Sequence, residues 1–230
     1  GVGSSELERF NILRQAGAKI FCVDVAHAHS KLVGKMVKEM RRSSDILIIV
    51  GNVATYAGAD YLASLGADAI KVGIGSGSVC TTREKTGFGV PQLTAIMDCS
   101  RVDIPIIADG GMRTPGDVVK ALAAGATMVM LGGMLAGTDE SIGGSTYRGM
   151  ASTEAQEDYF GSVADWRTDE GITITALPRG PVAGVIKDIV GGLRSGLSYA
   201  GATTIKELHR KAQFIEVSHA TMVEGTAHGK

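Results

Sequence analysis

Short β-branched apolar runs alternate along this chain with longer amphipathic stretches, and that alternation limits the fold more than any other feature. The runs are Ile20–Val25, Ile46–Val50, Ala69–Gly73, Pro105–Ala108 and Met128–Leu131. Each is nearly continuous in apolar residues, as strands of a parallel sheet covered on both faces require. Between them, Ser30–Arg41, Ala57–Leu65, Gln92–Ser100 and Pro115–Ala124 carry helical spacing. Thr114-Pro115 reads as an N-cap followed by proline in the first helical position, and Gly125 closes that helix. Gly17-Ala18, Gly66-Ala67 and Gly125-Ala126 each end a helix and lead into a strand. Such an echo suits repeated βα units joined by right-handed crossovers.

A closed eight-stranded (β/α)8 TIM barrel and an open doubly wound sheet both fit this pattern. The loops favour the barrel. Polar or glycine-rich residues follow almost every run: Asp24 and His27, Gly51-Asn52, Gly73 to Arg83, Asp109 to Gly111, and Gly132-Gly133. Function spread over the carboxyl ends of many strands is the habit of a barrel, whereas an open sheet gathers it at one switch point. Five strands and a stub at Gly1–Gly3 fall short of eight, so the first strands of the barrel are expected to be missing from residues 1–230, taken as one catalytic domain. Further on, helices are expected at Thr153–Trp166, Val182–Leu193 and Thr204–Ala212, a short strand at Phe214–Val217, and a loose tail over 218–230.

Composition excludes several classes. With 23 Lys+Arg against 24 Asp+Glu, the net charge is -1, too low to displace counterions from a nucleic-acid backbone. Aromatic residues are only 5 %, so no base-stacking platform is expected, and no DNA or RNA partner. No apolar run approaches a membrane span. Three cysteines, Cys22, Cys80 and Cys99, cannot all pair, which suits reduced thiols in the cytoplasm.

The segment Gly73-Ile74-Gly75-Ser76-Gly77-Ser78-Val79-Cys80-Thr81-Thr82-Arg83 carries the chemistry most visibly. Its alternate glycines let backbone groups face a ligand or ion. Cys80 stands at the mouth of the expected barrel, either as a nucleophile or as an ordinary buried thiol. A free thiol is only about 3 % thiolate at neutral pH, so nucleophilic use needs local activation. Asp109-Gly110-Gly111 and Gly132-Gly133 follow the last two runs, where barrels often hold phosphate on loop amides. Asp109 repels a phosphate and suits a ribose hydroxyl instead. His27 and His29 lack a third ligand and read as a solvated loop. Cys22 and Cys99 read as core or helix-face residues. On its residues alone, the cluster around Glu170 reads as a charged loop.

Taken together, the 73–83 loop with its continuation Glu84-Lys85-Thr86-Gly87-Phe88-Gly89-Val90-Pro91-Gln92, Ile107-Ala108-Asp109-Gly110-Gly111, and Met130-Leu131-Gly132-Gly133-Met134-Leu135-Ala136-Gly137 resemble the superfamily that GMP reductases share with IMP dehydrogenases. Tyr147 to Ser152, Gly161 to Arg167, Glu170-Gly171, Gly191 to Ser195 and Ser198 to Gly201 look like the reductase branch. The dehydrogenases activate water with an Arg-Tyr pair on a mobile flap, and here Tyr147-Arg148 is in the reverse order. Ser76 stands where the family usually has proline, and Ala28 where it often has glycine.

The resemblance implies NADPH-dependent conversion of GMP to IMP and ammonia. Cys80 would attack the purine, with Thr82 and Glu170 as the acid–base pair. Ser78, Asp109, Gly110, Gly111, Gly132, Gly133, Gly149, Met150, Ala151, Arg167 and Gly171 would hold the nucleotide. Asp24, Val25, Ala26, Ile74, Gly75, Met150, Trp166 and Arg167 would face the cofactor, joined by Ser195, Gly196, Leu197 and Ser198 from a neighbouring subunit of a tetramer. Carbonyls of Gly75, Gly77 and Cys80, with Arg83 beside them, match a potassium site. IMP dehydrogenase and an inactive nucleotide-binding fragment are the alternatives.

Overall fold

A computed structural model describes residues 1–163, 165, 168–218, 220, 221 and 225. Five parallel strands form its main sheet: β1 (Ile20–Asp24), β2 (Leu47–Val53), β3 (Ala69–Val72), β4 (Ile106–Asp109) and β5 (Met128–Met130). All five strands expected from the sequence are present, with ends that coincide or differ by at most three residues. They lie in the order β1-β2-β3-β4-β5, each new strand joining the same edge. A doubly wound sheet reverses direction midway, and this one does not. The architecture is therefore an α/β arc of the kind that closes into a TIM barrel.

Helices α1 (Ser4–Gln15), α2 (Lys31–Met40), α3 (Tyr56–Ser64), α4 (Thr82–Thr86), α5 (Gln92–Cys99) and α6 (Pro115–Ala123) lie between and beside the strands. Local chemistry starts several of them. Ser30, Thr55 and Thr114 are in extended conformation, and each side-chain oxygen accepts the amide three residues on. Gly125 follows the C-cap of α6 at φ 119, a conformation that favours glycine.

Burial follows the sequence pattern only in part. All four residues of β3 are buried, and Ile106, Ile107 and Ala108 of β4 are too. In β1, however, Phe21 and Val23 pack against the helices while Ile20, Cys22 and Asp24 are exposed on the other face. Leu47, Met128 and Met130 are exposed as well. Cys22 is thus a surface residue of the arc rather than a core one, whereas Cys99 is fully buried, and burial, with Asp98 nearby, pushes its thiol up to about 12.

Beyond β5 the chain adds β6 (Thr146–Arg148), α7 (Thr153–Phe160), β7 (Thr173–Thr175), α8 (Val182–Tyr199) and α9 (Ile205–Lys211). Strands β6 and β7 form an antiparallel pair that periodicity did not reveal. Helix α7 stops at Phe160, short of Trp166, because Gly161 turns left-handed at φ 78. Helix α8 runs six residues past Leu193. Gly1–Gly3 forms no strand and leads straight into α1, with Gly3 as its N-cap. Phe214–Val217 forms no strand either. Most of the expected loose tail lies outside the described residues. The main core joins the first four strands to α1, α2, α3, α5 and α6, and a second cluster of Val118, Leu122, Met134, Ile189, Ala202 and Leu208 seats α8 and α9 on α6. Among the described residues, no helix is long and apolar enough to cross a membrane.

Candidate active site

Strand β3 delivers the loop 73–81 to the carboxyl end of the sheet, and side chains from neighbouring elements bind it there. Ser76 Oγ donates to the Asp109 carbonyl at 2.8 Å. Gln92 Nε2 donates to the carbonyls of Val72 at 2.8 Å and Asp109 at 3.2 Å. The loop is thereby fixed to the end of β4, and α4 begins at once with Thr82.

Cys80 meets a segment some ninety residues further along the chain. It forms an isolated antiparallel bridge with Gly171. The Thr81 amide donates to the Glu170 carbonyl and the Ile172 amide to the Val79 carbonyl, both at 2.9 Å. Glu170 is further held by its own amide, which donates to Ala151. The result is a continuous hydrogen-bonded relay. Cys80 Sγ donates to Thr82 Oγ1 at 3.2 Å, and Thr82 Oγ1 donates to Glu170 Oε2 at 2.8 Å. Glu170 is therefore no solvated bystander. A thiol, a hydroxyl and a carboxylate in series can pass one proton between solvent-side carboxylate and reacting group.

Two glycines make this approach possible. A methyl group at Gly149 would lie 2.9 Å from Gly171 Cα and 3.0 Å from the Val79 carbonyl oxygen. One at Gly171 would lie 3.1 Å from Gly149 Cα and 3.2 Å from the Ser152 amide. The hairpin of β6 and β7 carries these two positions at its connected end, next to the Arg148–Thr173 pair.

A cavity of about 280 Å³ opens at the carboxyl ends of β4 and β5, lined by Ser78, Asp109, Gly110, Gly111, Gly132, Gly133 and Tyr147 among others. Its floor has little room for side chains. A methyl at Gly133 would stand 2.9 Å from Ser78 Oγ, and one at Gly132 would stand 2.6 Å from the Tyr147 hydroxyl. Glycine backbone with the Ser78 and Tyr147 hydroxyls lines this floor, a composition that suits an anionic phosphate. A larger hollow of about 550 Å³ lies by Arg14, Arg42 and Asp45, near the amino ends of β1 and β2 and away from this chemistry.

Lys71 is the least expected member of the site. It is 1 % exposed on β3, yet its ammonium reaches Asp109 Oδ2 at 2.7 Å and Asp24 Oδ2 at 3.0 Å. Burial pulls this lysine down, but the two carboxylates outweigh it and hold the ammonium above the ordinary lysine value. Asn52 Nδ2 donates to the same Asp109 oxygen at 3.0 Å and to the Gly73 carbonyl at 2.8 Å. A lone cation inside the run Ala69-Ile70-Lys71-Val72 was the available signal for this role.

The other sequence candidates divide. Val25 is tied to β2 by two backbone bonds, Ala26 is exposed beyond it, and Ile74 packs against the main core. Gly110 and Gly111 turn at φ 84 and 83 beside Ser76 and Gln92. Met150 is 88 % exposed and Ala151 is exposed beside it. Arg83 donates to the Val90 carbonyl and packs its stem over Gly75 and Gly89. The Gly77 carbonyl already accepts the Cys80 amide at 3.1 Å. Ser195, Gly196, Leu197 and Ser198 lie on the last turns of α8, where a methyl on Gly196 would meet Val119 of α6 at 2.6 Å. They do not line the cavity. Trp166 and Arg167 lie outside the described residues. His27 and His29 stack with ring centres 6.5 Å apart, and among the described residues no cluster of three metal-ligating side chains exists.

A sequential parallel α/β arc with a hydrogen-bonded cysteine and a glycine-floored cavity at its carboxyl edge is the layout of an α/β barrel that carries its site at the strand ends. The model of the IMP dehydrogenase / GMP reductase domain matches residues 1–228, and the chain belongs to that family. It is 45 % identical over 251 residues to an inosine-5'-monophosphate dehydrogenase of Nitrosopumilus maritimus, covering 99 % of this chain and 53 % of that protein. It is 42 % identical over 255 residues to a GMP reductase of Leishmania donovani, covering 99 % and 51 %. A crystal structure of a GMP reductase variant from Trypanosoma brucei in complex with guanosine 5'-monophosphate superposes with a TM-score of 0.93 at 41 % identity, over 100 % of this chain and 51 % of that one. An inosine 5' monophosphate dehydrogenase from Legionella pneumophila gives 0.82 at 56 % identity, over 96 % and 72 %. The chain spans about half the length of the curated relatives it matches.

Proposed function

We propose that this chain catalyses reductive deamination of GMP to IMP and ammonia with NADPH. The observation that carries the reading is the relay from Cys80 through Thr82 to Glu170. The thiolate adds to the purine carbon bearing the amino group, the amino group leaves as ammonia, and the carbon stays bonded to sulfur. Splitting one hard substitution into addition and elimination is the benefit of covalent catalysis. The departing nitrogen needs a proton, and Thr82 with Glu170 can pass one, which is worth roughly 10²–10⁴-fold. Ser78 and the amides around Gly111, Gly132 and Gly133 hold the phosphate, with the Tyr147 hydroxyl beside them. Asp109 accepts the ribose hydroxyls. When bound, the nicotinamide supplies the hydride that releases the purine from sulfur; Asp24 and Ala26 border its side of the site. The oxygen donors of Gly75, Gly77 and Cys80 are of the hard type that alkali cations take, and a potassium ion there would stiffen the loop that carries the nucleophile. Assembly as a tetramer would let Ser195 to Ser198 complete a neighbour's cofactor site.

The dehydrogenase reading has its own support in the 45 % and 56 % identities above. Against it stands the lack of any Arg-Tyr dipeptide in the sequence. Purified protein given GMP with NADPH, and separately IMP with NAD, decides between them by the product formed. IMP and ammonia from the first pair are expected, and Cys80→Ala abolishes them. XMP from the second pair, with no turnover of the first, overturns the proposal.

A further inference from the structure

We infer that Lys71 is a positioning residue that serves both halves of the active site, holding Asp109 for the nucleotide ribose and Asp24 for the cofactor with one ammonium group. The inference rests on the nucleotide reading above and extends it to how the two ligands are bound together. Asp24 ends β1, Lys71 lies on β3 and Asp109 ends β4, so one side chain ties three strands of the sheet. Among these three side chains the lysine is 1 % exposed, Asp109 24 % and Asp24 59 %. The charge is therefore buried beneath two carboxylates that still face the ligand space. Gly51, the residue paired with both Asp24 and Lys71 in the sheet, leaves the space that the lysine stem occupies. Lys71 contributes no proton to the relay, which runs through other atoms.

Charge explains why a lysine is needed here. Both carboxylate oxygens lie within 3.0 Å of one nitrogen, so they stand at most about 6 Å apart. Without the ammonium they repel each other and turn away. Two such charges at that spacing, with an effective dielectric constant near 20, interact strongly enough for an effect of about tenfold to a hundredfold on binding. Asp109 then presents its oxygens badly to a ribose, and Asp24 does the same on the cofactor side. Both affinities fall together, although no ligand need touch the lysine.

The test uses the intact protein, with GMP and IMP binding measured by calorimetry and steady-state KM measured for nucleotide and dinucleotide. Lys71→Met raises the KM of both ligands about tenfold or more while kcat falls less, and Lys71→Arg restores both. A change in only one KM, or in neither, overturns the inference. Should Lys71→Met fail to fold, Asp24→Asn keeps the question open to measurement, because Asp24 sits on the accessible side. Its carboxylate meets Asp109 across Lys71, so neutralising it removes the repulsion and leaves the ammonium to Asp109 alone, which shifts GMP binding at least threefold; unchanged GMP binding refutes the coupling. Wild-type protein that binds neither GMP nor IMP sinks the nucleotide reading itself, a result distinct from wild-type binding with unaltered variants.

Discussion

Gly149→Ala isolates the contribution of close backbone packing to the relay. The added methyl would stand 2.9 Å from Gly171 Cα and 3.0 Å from the Val79 carbonyl oxygen. Carbon atoms ordinarily meet at about 3.5–4.0 Å. The segment carrying Glu170 must therefore withdraw from the Cys80 loop by roughly 0.6–1 Å, because both obstacles are backbone and no rotamer can relieve them. Two backbone bonds stretch, those from Thr81 to Glu170 and from Ile172 to Val79. Overpacking of this kind costs about 1–3 kcal/mol of stability. A displacement near 1 Å at catalytic groups costs about 10²-fold in rate. The expected result is a hundredfold fall in kcat/KM, followed by nicotinamide absorbance, with a urea unfolding midpoint that drops but remains cooperative. In a Glu170→Gln background the same substitution costs little further activity, since the group it displaces is already disabled. Full activity in Gly149→Ala, or a full additional hundredfold loss on top of Glu170→Gln, would refute the reasoning.

Further outcomes follow from the same geometry. Thr82→Val removes the hydroxyl between Cys80 and Glu170 at nearly constant volume, and turnover falls about 10²–10⁴-fold, while Thr82→Ser recovers most of it; equal activity in both variants rules out a relay. Asp68 accepts from Arg41 and from the Ile48 amide, each at 2.6 Å. Burial pushes its carboxyl up, but the Arg41 and Ile48 donors outweigh that and hold it below the usual carboxylate range. Asp68→Ala therefore costs about 1–2 kcal/mol at neutral pH, with solvent screening keeping the figure at the low end. A depressed folded-state value means this stabilisation is complete above the unfolded carboxylate value of about 3.9 and disappears as pH falls through the lower folded value. Chemical denaturation of both proteins across that range checks it, and a difference that persists at the acid end contradicts the assignment. As a control, Gly184→Ala on α8 places its methyl in open space and stabilises by about 0.5–1 kcal/mol without altering kcat; a loss of stability there would expose a neighbour that these contacts omit.

Which parts were legible in the sequence has a physical pattern. The five strands announced themselves by nearly unbroken apolar runs, even where Ile20, Leu47, Met128 and Met130 are exposed, and the caps at Thr114 and Gly125 because helix ends need particular local chemistry. Even the glycine floor near Ser78 and Gly133 was visible, since close backbone approach demands glycine wherever the fold places it. The three-residue strands β6 and β7 were not legible. So short a pair has no periodicity of its own and exists through its partner. On its residues alone Glu170 looked like a solvated loop for the same reason, and only the family resemblance paired it with Thr82, 88 residues away.

Local order, then, belonged to the sequence: runs, caps and glycine positions follow from interactions within a few residues, and these amino acids determine them wherever the chain goes. Tertiary structure alone decided that Lys71 would be the buried counterion of Asp24 and Asp109, and that Cys80, Thr82 and Glu170 would lie in one hydrogen-bonded chain. Those pairings depend on distances between strands and loops far apart in the chain, and such distances are set only when the sheet is assembled.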